Sequence, residues 1–181
     1  ADQWRVGSIQ SLGSMDFTDY LKLNDTNALT DEATTWNDTA PTSSVFSVGT
    51  DSATNYSGYD HVSYCFHSVD GHSKVGSYEG NGNADGTFVY CGFRPAFLLL
   101  KNMDASGWNW RIMDSARGTY NVVTKFLEAN VNAAETSDGT GNVDFLSNGF
   151  KFRVNDAGSN GSNTYLFYAV AEQPFKHSNA R

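Results

Sequence analysis

Apolar and polar residues alternate with a period of two along several stretches of the chain, the signature of half-buried β-strands. Phe150, Phe152 and Val154 point one way, Lys151 and Arg153 the other. Trp108, Trp110 and Ile112 share a face opposite Asn109 and Arg111, and Val62, Tyr64 and Phe66 form a third ladder. Tyr165 to Ala171 is apolar on both faces and predicts a central strand; Phe97 to Leu100, just after Pro95, reads the same way. Between these runs stand clusters of Gly, Asn, Asp and Ser at 80–86, 137–142 and 155–163. Such residues tolerate positive φ and close Asx turns, so the clusters predict tight connections. Only Val122, Val123, Phe126 and Leu127 offer a helical spacing, and the non-helical reading is preferred there. Short strands joined by such turns predict an all-β fold, an antiparallel β-sandwich of jelly-roll or concanavalin-like type.

The chain also resembles itself. Gln3-Trp-Arg-Val6 matches Asn109-Trp-Arg-Ile112. At the same separation Tyr20-Leu21 matches Phe126-Leu127, Asn24 matches Asn130, Ala28 matches Ala134, Thr30 matches Thr136 and Asp38 matches Asp144. After a two-residue slip, placed in the loop-like 39–45 stretch, Phe46 matches Phe150, Val48 matches Phe152, Val62 matches Leu166 and Tyr64 matches Tyr168. Residues 73–107 open the second copy and have no counterpart in the first. The expected organisation is a tandem repeat with the first copy truncated: an incomplete β-repeat at 1–69 and a complete one at 70–181. A sandwich without its leading strands leaves backbone groups unpaired and half a core bare. Upstream residues or another chain are therefore expected to complete the first copy, as in strand donation.

The repeat sorts the aromatic residues. Those at the same place in both copies read as scaffold: Trp4 with Trp110, Phe46 with Phe150, Tyr64 with Tyr168. Those present in one copy only are freer to bind a ligand, and Trp36, Tyr56, Tyr59, His67, His72 and Trp108 form the candidate set.

Charge narrows the partners. The net charge is −8, which disfavours nucleic acid, whose binding rests on neutralising phosphates, and anionic membrane surfaces alike. Charged residues make up 18% of the chain, below the ~25% of typical globular domains, while aromatics reach 14%. No apolar run approaches the ~18 residues of a membrane span, so no membrane insertion is expected. The chain opens on Ala1 without a signal-type segment, as a processed chain or a piece of something longer would. Cys65 and Cys91 are too few for a disulfide framework. Free thiols are the preferred reading, with a disulfide left open because spacing does not reveal distance.

Catalytic motifs are scarce. His67-Ser-Val-Asp-Gly-His72 gathers two imidazoles and Asp70, but its spacing matches no zinc pattern and a solvated turn is expected; His61 and His177 stand apart. Asp138, Asn142 and Asp144 could offer oxygens to calcium, although an Asx turn is the better reading. Glu79, Glu128, Glu135 and Glu172 are candidates for glycoside hydrolysis only in the sense that any glutamate is. No nucleophile elbow, P-loop, dinucleotide fingerprint or EF-hand is present. The expectation is a protein without catalytic residues, metal or cofactor. Its Gly/Asn/Ser/Tyr-rich loops resemble sugar- or protein-recognition surfaces.

Several stretches carry a closer resemblance. They are Trp36-Asn-Asp-Thr-Ala-Pro-Thr-Ser-Ser-Val-Phe-Ser-Val-Gly49, Tyr64 to Lys101 with Gly92-Phe-Arg-Pro-Ala-Phe97, Trp110-Arg-Ile-Met-Asp-Ser-Ala-Arg-Gly-Thr-Tyr-Asn-Val-Val123, Asp144-Phe-Leu-Ser-Asn-Gly-Phe150 and Ala171-Glu-Gln-Pro-Phe175. Most of residues 36–181 thereby resembles a repeat domain near the C-terminal end of tail-fibre-like structural proteins of marine tailed phages, with Asn179-Ala-Arg181 like their natural end. That family often has Gly-Tyr-Ser-Lys-Phe-Gly where this chain has Gly71-His-Ser-Lys-Val-Gly76, and threonine where Cys91 stands. The resemblance implies a virion component, an extracellular particle protein whose task is host adhesion through cell-surface glycan or protein. It implies assembly with other virion structural proteins, and the usual symmetry of fibres makes a homotrimer the expected state. A connector or decoration protein that binds only other structural proteins, and a tailspike-type glycan depolymerase, are the alternatives.

Overall fold

The computed structural model describes residues 3–9 and 15–173; His177 and the Asn179-Ala-Arg181 end lie outside them. In chain order the elements are β1 (Arg5–Val6), β2 (Asp19–Lys22), β3 (Thr30–Asp31), α1 (Ala33–Trp36), α2 (Ser52–Asn55), β4 (Ser73–Glu79), β5 (Phe88–Tyr90), β6 (Pro95–Asn102), β7 (Arg111–Asp114), β8 (Leu127–Glu128), β9 (Val143–Leu146), β10 (Gly149–Phe152) and β11 (Thr164–Ala171). The fold is an antiparallel all-β sandwich. One sheet has the order β4-β11-β6-β7-β8, a second β5-β10-β9 and a third β1-β2-β3.

The first two sheets face each other across the main core. Leu98, Leu100, Tyr165 and Phe167 from the five-stranded sheet meet Val89, Phe145, Phe150 and Phe152 from its partner. Tyr78 is stacked on Tyr165 at 5.0 Å between ring centroids and meets Phe150 edge-on at 5.8 Å. Its hydroxyl donates to the Ser159 carbonyl at 2.5 Å, so the ring is buried with its polar end satisfied. Each side chain fully buried here contributes roughly 1.5–3 kcal/mol of transfer free energy.

The third sheet lies on the opposite face of the five-stranded one. Met15 and Leu21 join Leu99, Met103, Trp110 and Leu166 in a second cluster. This explains why Tyr165 to Ala171 is apolar on both faces: β11 is central in its sheet and covered on both sides. Backbone bonds tie the layers together, Leu29 N to Met103 O at 2.8 Å and Gly107 N to Thr26 O at 3.0 Å.

Val123 and Phe126 form β-bridges and Leu127 starts β8, in line with the non-helical reading of that stretch. Two local expectations change. Arg111, expected outward with Asn109, is 5% exposed, because both faces of its sheet are interior. Val62, Tyr64 and Phe66 alternate like a strand yet lie in no sheet. The turn clusters are as expected: Asn83 N donates to Asn81 Oδ1, Thr140 N to Asp138 Oδ1 and Gly158 N to Asp156 Oδ1, each within 2.9–3.0 Å.

Candidate functional site

One structural device occurs twice. Arg5 and Val6 pair with Lys22 and Leu21, and Arg111 and Ile112 pair with Glu128 and Leu127 in the same register. Trp4 N donates to Asn24 Oδ1 at 3.0 Å, and Trp110 N to Asn130 Oδ1 at 2.9 Å. The Arg5 guanidinium sits 4.0 Å over the Tyr20 ring, that of Arg111 4.7 Å over Phe126. Arg5 is ion-paired with Asp51 at 2.8 Å and Arg111 with Asp156 at 2.6 Å. Each aspartate closes a turn, accepting from Ala53 N or Gly158 N at 2.9 Å. Asn55 Nδ2 then donates to Gly49 O at 2.8 Å, as Asn160 Nδ2 does to Val154 O at 3.0 Å. A Cβ at Gly158 would lie 2.5 Å from the Arg111 guanidinium carbon, so that side chain would have to shift; the first copy carries Ala53 at the equivalent position.

These bonds correct the alignment. Thr54 Oγ1 donates to Thr35 O as Ser159 Oγ does to Thr140 O, both at 3.3 Å, so one residue of the slip falls before Thr35. Asp38 and Asp144 are therefore not equivalent. The bonds flanking 45–48 carry a separation one residue longer than the one that pairs Phe46 with Phe150. Residue-type matching at period two could not see this.

The copies differ in what covers them. In the complete copy β7 lies between β6 and β8, and β11 between β4 and β6. In the first copy β1 pairs only with β2, and no backbone hydrogen bond engages residues 60–66 among the described residues. Trp110 is 3% exposed but Trp4 is 49%; Leu166 is 5% exposed but Val62 is 66%. Trp4 instead stacks on Tyr64, itself 69% exposed, with centroids 6.0 Å apart. With Ile9, Val45, Phe46, Val48, Tyr56, Tyr59 and Phe66, ten large apolar side chains among the described residues of the first copy stand exposed. Residues 39–69 hold only Asp51 and Asp60 as formal charges, and Asp51 is paired with Arg5.

The six nominated residues part ways. Tyr56 and Tyr59 are exposed and come together with centroids 5.2 Å apart, and His61 Nε2 accepts from Tyr56 N at 3.1 Å. His67 is exposed in the turn leading to β4. His72 is half-buried there, its backbone bonded to Val69 O and Ala171 N. Trp108 is half-buried beside β7. Trp36 is a correction: it is 8% exposed, packs against Phe17 and Tyr20, and donates from Nε1 to Asp19 O at 3.1 Å. Lacking the strands that fill the complete copy, the first copy closes a small core with it. Trp4 and Tyr64 are the converse correction. Their repeat positions read as scaffold, but among the described residues no strand covers them, and they are exposed.

A family model described as Domain of unknown function (DUF7483) matches residues 1–174. The chain belongs to this family. No curated protein and no solved structure matches it. The DUF7483 match takes in the open first copy together with the complete second one.

Several ionisable groups of this DUF7483 chain are engaged in structural contacts. Burial pushes the Cys91 thiol up to about 12, which leaves it inert, whereas Cys65 is exposed; both are free. Burial lowers Lys101 to about 8, partly opposed by Asp25, and its Nζ donates to Asn102 O at 2.9 Å. Burial would raise Asp51, but the Ala53 N–H, the Thr35 hydroxyl and Arg5 together hold it below the usual carboxylate range. Asp19 is raised by burial and by its neighbours Asp16 and Asp31. Asp138 turns back onto Thr140 and Asp144 pairs with Arg153, so neither is aimed at a cation. Among the described residues no group of three His, Cys, Asp or Glu could hold a metal, and no helix is long and apolar enough to cross a membrane. Glu135 is held by Arg117 and Lys125 and Glu172 by Arg94. What the arrangement offers chemically is aromatic surface.

Proposed function

We propose that this domain is a non-catalytic structural and adhesion module of a virion appendage such as a phage tail fibre, making contact through the aromatic face of its first copy. The Tyr56–Tyr59 pair carries the reading. Two rings, 55% and 72% exposed, stand close together on a surface almost without charge. Paired tyrosines supply rigid area for the apolar face of a sugar ring and hydroxyls for its edge. The phage-protein resemblance of residues 36–181 supports the virion setting. The test is binding of the native chain to a panel of bacterial surface glycans, with a Tyr56→Ala/Tyr59→Ala variant beside it. Binding weakened at least about fivefold by the double substitution is expected, from the ~0.5–1.5 kcal/mol of each aromatic contact. Silence across the panel overturns adhesion to glycan.

A connector that binds only structural proteins is the second reading, favoured by how much aliphatic surface (Val45, Val48, Val62) accompanies the rings. A depolymerase would need facing carboxyls with one raised. Asp19, beside Asp16 and Asp31, is the carboxyl on which to test it, by release of reducing ends from the same panel.

A further inference from the structure

We infer that a second copy of this chain covers the open face of the first repeat, with residues 60–67 of the two copies lying side by side as antiparallel strands. This rests on the reading of that face as a contact surface and names what meets it.

Residues 60–67 have the sequence character of a central strand. By residue type Val62 and Tyr64 match Leu166 and Tyr168 of β11, at a separation one residue shorter than the turn bonds of 49–55 carry, so that match places a further residue of slip between 55 and 62; β11 itself is hydrogen-bonded along both edges. The first-copy segment keeps the alternation of Val62, Tyr64 and Phe66, and its Phe66 ring packs on Tyr168 with centroids 5.0 Å apart, but residues 60–66 have no sheet partner among the described residues. Backbone N–H and C=O groups without a backbone partner are a template for another strand. An isologous antiparallel pair satisfies these groups on both copies at once and sets Val62 of each against Phe66 of the other.

Area agrees. Setting aside Tyr56 and Tyr59, the exposed apolar side chains of the first copy, 37–69% exposed, present together on the order of 900 Å², enough for the ~800 Å² per partner of a standard interface. Charge selects the occupant. A chain of net charge −8 repels its own copies over most of its surface, and residues 39–69 are where carboxylates are scarce. Depletion of charge at the centre is what distinguishes an interface from ordinary surface.

Sedimentation of the native chain at micromolar concentration tests this, with Val62→Asp/Tyr64→Asp as the breaking variant and Tyr64→Phe as the conservative one. Expected are a dimer or larger assembly for the native and Tyr64→Phe chains, and association at least about 30-fold weaker for the double variant, the factor of one hot-spot residue. Cys65 lies in the paired segment and is exposed, whereas Cys91 is buried, so a short bis-maleimide should link native copies at Cys65 alone. A monomer at 19.8 kDa that does not cross-link, or an assembly indifferent to the double variant, overturns the inference. The near-ultraviolet circular dichroism of the variant shows whether the second-copy core survives; its loss shifts the decision to the cross-linking of native chains. A silent glycan panel removes the adhesion reading and leaves this one standing; a monomer does the reverse.

Discussion

Arg5 and Arg111 head two versions of one device. Each guanidinium lies on an aromatic ring, each is paired with an aspartate, and each aspartate closes a turn whose asparagine reaches back to a carbonyl. Beside them Trp110 is buried and Trp4 is half exposed. The local bonds recur in both copies because they are made within and between neighbouring turns. Burial does not, because it depends on strands contributed from far along the chain. β11 is flanked by β4 and β6, whereas among the described residues no strand pairs with residues 60–66, which meet the rest of the chain through ring contacts such as Phe66 on Tyr168.

The largest test of this contrast is the tryptophan pair. Trp110→Ala empties a packed site and removes the bond from its Nε1 to Lys22 O, so unfolding in urea should show a loss of about 3–5 kcal/mol. Trp4→Ala should cost less than about 1 kcal/mol in the dissociated chain. Equal losses would mean that the first copy is as closed as the second.

The aspartates sharpen the other half of the contrast. Asp156→Asn leaves the Arg111 side chain, 6% exposed, without its counter-charge and should cost about 3 kcal/mol. Arg5 and Asp51 are buried to a similar extent, so Asp51→Asn should cost nearly as much. A negligible effect at Asp51 would show that the first-copy clamp does not hold.

Lys101 reports on the seam between the copies, where its Nζ lies 3.4 Å from Thr26 O. Its folded value of about 8 lies below the ordinary 10.5, so the unfolded chain binds more protons between the two. Stability from this group rises as pH climbs through that window. Lys101→Met should therefore be more stable than the parent at pH 7 by about 1–3 kcal/mol, with the gap closing towards pH 10. Comparing the two proteins cancels the opposing titrations of Cys91 and Tyr165, both raised chiefly by burial.

The smallest effect is the acid limb. Asp51 is held below its ordinary value, so its contribution is full above the usual aspartate range and is lost as pH falls through the lower folded value. Melting temperatures between pH 6 and 3 should fall less steeply for Asp51→Asn than for the parent, by roughly 1 kcal/mol at the acid end. Parallel curves would remove Asp51 from the account.

Much of the fold was legible in the chain, because β10 carries its own alternation, β6 and β11 their own continuous apolar runs, and the turns their own Asx chemistry. The repeat was legible too, although its register was not: a period of two tolerates a one-residue error that only the hydrogen bonds resolve. Three side chains misled for one reason. Trp36, unmatched in the second copy, read as a binder and instead plugs a small core. Trp4 and Tyr64, matched, read as scaffold and stand in solvent. A repeat position tells what a side chain does only when its neighbours are present, and neighbours are a non-local property. Arg111 misled differently, since a charge was expected to face water and its sheet is covered on both faces.

Amide hydrogen exchange over a dilution series tests the central claim most directly, that the first copy is the same module left uncovered within its own chain. Amides of β11 should be protected at every concentration, and those of residues 60–66 only as copies associate, exchanging freely when dilute. Protection of residues 60–66 equal to that of β11 in the dilute chain would contradict it.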